Sequence, residues 1–166
     1  MCIRDSLQGM QIKEEEGKVT LYQPLVDFYT KQVSEKGIKN DANITVTDDM
    51  LNAAAENADT AIVTIGRYSS EGSDRSASKG DYYLSDAETE LLTRVAAKFK
   101  KTVVVLNVGA VLDTEWIKDI PGIDSVLMAW QAGMEGGLAT ADVLVGDVNP
   151  SGKFVDTFAK DYNCLL

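Results

Sequence analysis

The sequence predicts an α/β domain, a three-layer sandwich built on a mostly parallel sheet. Three observations carry that expectation. Two short runs, Thr60-Ala61-Ile62-Val63-Thr64-Ile65 and Thr102-Val103-Val104-Val105-Leu106-Asn107-Val108, are almost unbroken in their hydrophobicity and rich in β-branched residues, as in strands buried on both faces. Helical periodicities lie between and around them, and strand alternating with helix is the order of a parallel sheet covered by its crossover connections. The length of 166 residues, with 45% hydrophobic and 25% charged residues, suits one domain that buries a real core.

The elements follow in chain order. Met1 to Met10 lacks the apolar centre and small-residue cleavage site of a signal peptide, and residues 1–6 read as non-native. Residues 7–20 are polar and include Glu14-Glu15-Glu16, which predicts a mobile or edge segment. The domain proper is expected over 21–162, with 163–166 as a tail. Leu21, Leu25, Phe28, Tyr29 and Val33 recur every three or four residues up to Lys36, one face of a helix with Pro24 in its first turn and Gly37 as its stop. Thr47 or Asp48 caps a second helix over Met50 to Ala58. The first strand then runs to Gly66.

Residues 66–84 form a long polar Gly/Ser-rich loop, and loops of that length inside a domain are usually functional or disordered. Ser85-Asp86-Ala87-Glu88 has the capping-box pattern, and Leu91, Leu92, Val95, Ala96 and Phe99 continue a helix to about Lys100. After the second strand, Leu112 to Trp116 predicts a helical turn, Ser125 to Trp130 a third strand, and Gly136 to Val145 a last helix. The chain stops soon after Tyr162 without a closing element, so a domain truncated at both ends is expected.

Composition closes several chemistries. There is no histidine, which excludes Ser-His-Asp and Cys-His catalysis and every imidazole-ligated metal, so acid/base work near neutral pH falls to carboxylates tuned by burial. A net charge of −10 argues against nucleic acid and anionic membranes as partners but not against a neutral sugar. The longest aliphatic run, Val103 to Leu106, is far below the ~20 residues that span a bilayer. Cys2 and Cys164 make neither a disulfide framework nor a closed zinc site.

In open α/β sheets ligands meet the loops beyond the carboxyl ends of the strands, here 66–84, 109–111 and 131–135. Neither glycine loop suits a phosphate. Gly146 to Lys153 has one residue too many for a Walker A loop and Phe154 where Ser or Thr is needed, and Gly133-Met134-Glu135-Gly136-Gly137 has the wrong spacing and a repelling Glu135. Asp74, Asp81 and Asp86 lack calcium-loop spacing, so no metal and no cofactor are expected. Glu71 is the sharper candidate. Taken alone it would be a solvated side chain, yet it lies just past a buried strand, beside Ser69, Ser70 and Gly72, with Asp74-Arg75 able to brace the loop, and it suits a general acid. Trp130-Gln131 is either core at a strand end or a stacking face for a sugar. Asn43-Ile44-Thr45 is a formal glycosylation sequon.

Several of these segments, in order and in register from about Asn57 to Tyr162, resemble the C-terminal α/β-sandwich domain of family 3 glycoside hydrolases, the β-glucosidase family. They are Ala61 to Arg67, Ser70-Glu71-Gly72, Asp74-Arg75, Lys79 to Ser85, Val105 to Gly109, Trp130 to Gly133 and Gly146 to Lys153. The resemblance implies an (α/β)6 sandwich from a retaining exo-glycosidase of β-glucosidase or β-xylosidase type. It implies that Glu71 is the general acid/base, with Ser70 standing where the family often has Gly. It also implies that the Asp nucleophile and the Lys-His and Arg groups holding the sugar belong to a barrel domain N-terminal to it and absent here. The expected partners are therefore an oligosaccharide or β-glycoside substrate and that barrel, and the fragment alone is expected to be inactive. The alternative is a stand-alone, non-catalytic carbohydrate-binding or interaction module.

Overall fold

A computed structural model describes residues 3–36, 44–67, 74–154 and 157–165. Three strands, β1 (Thr60–Gly66), β2 (Lys101–Asn107) and β3 (Ser125–Met128), form one sheet in the order β1-β2-β3. Both pairings are parallel, with Val63 opposite Val104, Ile65 opposite Leu106 and Leu106 opposite Met128. The helices are α1 (Ile3–Glu15), α2 (Gln23–Lys36), α3 (Asp48–Asn57), α4 (Asp86–Lys98), α5 (Trp116–Asp119) and α6 (Gly136–Leu144), and a short 3-10 turn covers Tyr162–Leu165. This is the expected α/β sandwich, with its core on the central strand.

Alternation along the strands sorts the two faces. Ile65, Val104 and Leu106 join Leu84, Leu92, Ala96, Leu112, Trp116 and Ile120 in the main core under α4 and α5. Val46, Leu51 and Val95 gather Leu25, Phe28 and Ala61 into a second cluster that seats α2 and α3. Residues of opposite parity, Ile62, Thr64 and Val105, look toward α1 and α6 across a cavity of about 320 Å³ lined also by Leu7, Met10 and Leu144. The expectation of burial on both faces therefore holds for β2, whose Val104, Val105 and Leu106 are at most 1% exposed, but not for β1, where Ile62 is 39% exposed. Among the described residues β1 has a strand neighbour on one side only, and the helices over its outer face leave a gap.

Caps behave as the sequence predicts. The Thr47 side chain accepts a hydrogen bond from the Met50 N–H, and Ser85 with Glu88 completes the capping box of α4. Three elements differ. The segment expected to be mobile or peripheral forms α1, which packs along α6 at very short range. A Cβ on Gly9 would meet the Gly137 carbonyl, and one on Gly137 would meet the Asp5 carbonyl. Lys13, only 5% exposed, reaches Asp142 at 2.6 Å, Glu16 at 2.8 Å and Asp147 at 3.1 Å. Its ammonium is held well above the usual lysine range, first by the hydrogen bond to Asp142 and then by Glu16.

The helical turn lies at Trp116–Asp119 and not at Leu112 to Trp116. The Asp113 carboxylate accepts the Glu115 N–H at 3.0 Å and its carbonyl accepts the Trp116 indole N–H at 2.8 Å, which delays the turn and sends Leu112 into the core. β3 stops at Met128, because Trp130 takes a φ of 52° that ends the ladder. Gly37, Asn43 of the sequon and Cys2 lie outside the described residues. No helix among the described residues is long and apolar enough to cross a membrane.

Candidate functional site

Because all three strands are parallel, the segments after their carboxyl ends emerge along one edge of the sheet. Hydrogen bonds tie the three together. The Gln131 side-chain amide donates to the Arg67 carbonyl at 3.2 Å, Arg75 Nε donates to the Val111 carbonyl at 3.1 Å, and the Asp113 N–H donates to the Tyr82 carbonyl at 2.9 Å. The same three loops are legible in the sequence, and the bonds that join them are not.

Arg67, the first residue past β1, is 8% exposed. Its Nη1 and Nη2 grip both oxygens of Glu88 at 2.5 and 2.8 Å, Nη1 also reaches the Gly66 carbonyl at 2.8 Å, and Nε donates to the Asp81 carbonyl at 2.9 Å. Burial acts to raise the Glu88 carboxyl, but the Arg67 guanidinium and the Ser85 N–H outweigh it and hold Glu88 below the usual carboxylate range. One carboxylate thus closes a helix N-terminus and anchors the arginine that follows a strand.

Arg75 stands at the other end of the segment 68–73. Its expected neighbour in a brace, Asp74, is exposed, and its partner is instead Asp81, which Nη1 meets at 2.9 Å. The Ser76 N–H and hydroxyl donate to the second Asp81 oxygen at 2.7 and 2.8 Å. Burial acts to raise the Asp81 carboxyl, yet the Ser76 and Arg75 hydrogen bonds prevail and hold it low. Arg75 Nη2 is buried without a hydrogen-bond partner among the described residues. From the C-terminal end, the Tyr162 hydroxyl donates to the Arg75 carbonyl, and Tyr82, fully buried, donates its hydroxyl to the Ala159 carbonyl at 2.7 Å.

Glu71 lies outside the described residues, together with Ser69, Ser70 and Gly72. Among the described residues the acidic candidates do not converge. Asp86 pairs with Lys79 on the surface, Asp81 serves Arg75, and no group of three or more Cys, Asp and Glu residues is placed to hold a metal. Trp130 is half-buried against Phe158, with ring centroids 6.3 Å apart, and Phe158 meets the exposed Phe154 at 5.2 Å. Gly146, at a φ of 82°, ends α6, and Asp147 beside it binds Lys13 and Lys18. Arg67 and Glu88 are the site residues that sequence reasoning missed. The available signals were an arginine set directly after a buried strand and a capping-box Glu with an oxygen to spare.

The family model of the glycosyl hydrolase family 3 C-terminal domain matches residues 8–165. The chain belongs to this family. Family 3 relatives include β-glucosidase A of Butyrivibrio fibrisolvens, 38% identical over 95% of this chain and 22% of that protein. A β-glucosidase of Ruminococcus albus is 45% identical over 69% of this chain and 12% of its own length. Among solved structures, β-glucosidase 3B from Thermotoga neapolitana in complex with glucose superposes with a TM-score of 0.80 at 33% identity, covering 92% of this chain and 23% of that one. A β-glucosidase from Paenibacillus barengoltzii superposes with a TM-score of 0.81 at 33% identity, over 87% of this chain and 17% of that one. The chain thus spans about a fifth of the length of the first of these relatives and less of the second.

Proposed function

We propose that this domain supplies the general acid/base, Glu71, to a retaining β-glucosidase-like exo-glycosidase that hydrolyses O-glycosyl bonds. The nucleophilic carboxylate and most of the sugar contacts belong to a barrel domain of the same parent chain. The observation that carries the reading is the place of Ser70-Glu71-Gly72 within the matched family region, directly after the parallel strand β1 and between two anchored arginines. The names of the relatives point to β-glucosides as the substrate class.

In this mechanism the protonated Glu71 hands its proton to the glycosidic oxygen while the barrel carboxylate attacks the anomeric carbon. The glycosidic bond breaks and a glycosyl-enzyme forms. Glu71, now ionised, takes a proton from water, which adds to the anomeric carbon and releases the nucleophile. Retention needs the two carboxyl groups only ~5–5.5 Å apart, so the loop carrying Glu71 has to be held over the barrel mouth with little play.

The test is Glu71→Ala in the full-length enzyme, assayed on aryl and alkyl glucosides of graded leaving-group acidity. Proton donation matters most where the leaving group is a poor one, so the loss should reach ~10²–10⁴-fold there and shrink for dinitrophenyl glucosides. Full activity on every substrate would dispose of the assignment.

A further inference from the structure

Past β3 the chain turns across the end of the sheet. Ala129 still donates to the Leu106 carbonyl at 3.0 Å, and Trp130 then takes its φ of 52°, the only positive φ of a non-glycine residue among the described residues. That conformation is unfavourable for a bulky side chain, and such outliers gather where a site has to be shaped. β2 lies between β1 and β3, yet Gln131 beyond β3 reaches the carbonyl of Arg67 beyond β1 at 3.2 Å, so residues 129–131 cross the end of β2. The half-exposed Trp130 ring begins a file of three aromatic rings, with Phe158 at 6.3 Å and Phe154 a further 5.2 Å on, and Phe154 is 65% exposed. The segment bearing Phe158 is held to the same edge by the Tyr82 hydroxyl, which donates to the Ala159 carbonyl at 2.7 Å. Gln131 is exposed beside the first ring. Its amide nitrogen is committed to Arg67, which leaves the amide oxygen to accept a hydroxyl proton.

Exposed aromatic faces with a fixed amide alongside suit a sugar ring, whose C–H face is apolar and whose rim carries hydroxyls. The chemistry says which ring. A general acid protonates the glycosidic oxygen and so works from the side of the departing group, whereas the glucose that is cleaved off presents its anomeric carbon to the barrel nucleophile. Trp130 is tied through Gln131 to Arg67, the residue that follows β1, and so stands on the departing-group side. We propose that Trp130, continued by Phe158 and Phe154, is a stacking platform for the departing sugar of a β-linked gluco-oligosaccharide, and that it sets the preference for sugar over simple alkyl departing groups. The inference rests on the proposed role of Glu71.

The experiment uses the full-length enzyme carrying Trp130→Ala, Trp130→Phe or Phe154→Ala, each beside Glu71→Ala. Values of kcat/KM are taken on cellobiose, whose departing group is a sugar ring, and on methyl β-glucoside, whose departing group is equally poor but has no ring. Trp130→Ala should lower the value for cellobiose about tenfold, mainly through KM, and that for methyl β-glucoside no more than about twofold. Trp130→Phe keeps a smaller ring and should fall between Trp130→Ala and the parent. Phe154→Ala, at an exposed position, should repeat the cellobiose-selective loss at smaller size if Trp130→Ala does not fold. A loss of equal size on both glucosides, as expected if the rings only pack against the barrel domain, overturns the platform, and so does no loss on either. If Glu71→Ala shows its leaving-group dependence and the ring variants treat the two glucosides alike, only the platform falls. If Glu71→Ala keeps full activity on every glucoside, the reading of Glu71 falls, and the cellobiose-selective loss still decides for or against the platform.

Discussion

Glu88 serves two structures at once, as the N3 partner of Ser85 and as the counter-ion of Arg67. Glu88→Gln keeps the shape and an acceptor oxygen but leaves the nearly buried Arg67 without a counter-charge. That should destabilise the domain by about 3 kcal/mol, measured as a shift of the urea midpoint at neutral pH. The pH dependence has a definite sign. The folded Glu88 carboxyl is held below its unfolded value of roughly 4.3, so its contribution is fully present above that value and is lost as pH falls toward the folded one. The variant should show a flatter loss of stability on the acid side than the parent. Tyr82→Phe removes a buried hydroxyl from the Ala159 carbonyl and should cost about 1 kcal/mol by the same measurement. Half of the Glu88 account is legible in the sequence, because Ser85 and Glu88 stand three residues apart. The other half is not, because no spacing rule pairs Arg67 with a carboxylate twenty-one positions on, and an arginine after a strand looks like a solvated one.

Among the elements, α1 was hidden for a physical reason. Its apolar stripe is short, and what buries it is a backbone-to-backbone approach at Gly9 and Gly137 and a lysine among carboxylates, none of which carries a periodic hydrophobic signal. Gly9→Ala decides between two opposing effects. Alanine in the interior of a helix gains up to about 1 kcal/mol over glycine, whereas forcing a methyl group against the Gly137 carbonyl costs about 1–3 kcal/mol. The clash should prevail, so Gly9→Ala is expected to destabilise and to expose α1 to limited proteolysis, while the same exchange at an unobstructed helix position would stabilise. Of the helices that announced themselves, α2, α3 and α4 have long stripes or side-chain caps, and α6 is an apolar run opened by Gly136-Gly137. The turn at Trp116 and the end of β3 shifted because Asp113 and the backbone of Trp130 act through single local bonds and torsions that hydropathy does not register.

At the scale of the molecule, the parallel α/β sandwich was legible because its cause is global. Apolar runs without alternation, separated by helices, leave few other arrangements. The three converging loops followed from that topology. The incomplete cover of β1 did not, since Ile62 is as apolar as its neighbours and nothing in the chain distinguishes an edge strand's outer face from a covered one. The parallel register has a further consequence, for the order in which the chain assembles. No strand here can find its partner through a tight hairpin. Pairing β2 with β3 closes a loop of about 20 residues, and pairing β1 with β2 one of about 40, which costs ~0.6 kcal/mol more in chain entropy. The shorter closure should lead. Val126→Ala in β3 is therefore expected to slow refolding in proportion to the stability it removes, whereas Val63→Ala in β1 should act mainly by speeding unfolding. Stopped-flow chevrons of the two variants read this directly, and equal effects on the refolding arm would mean that the two strand pairs form together.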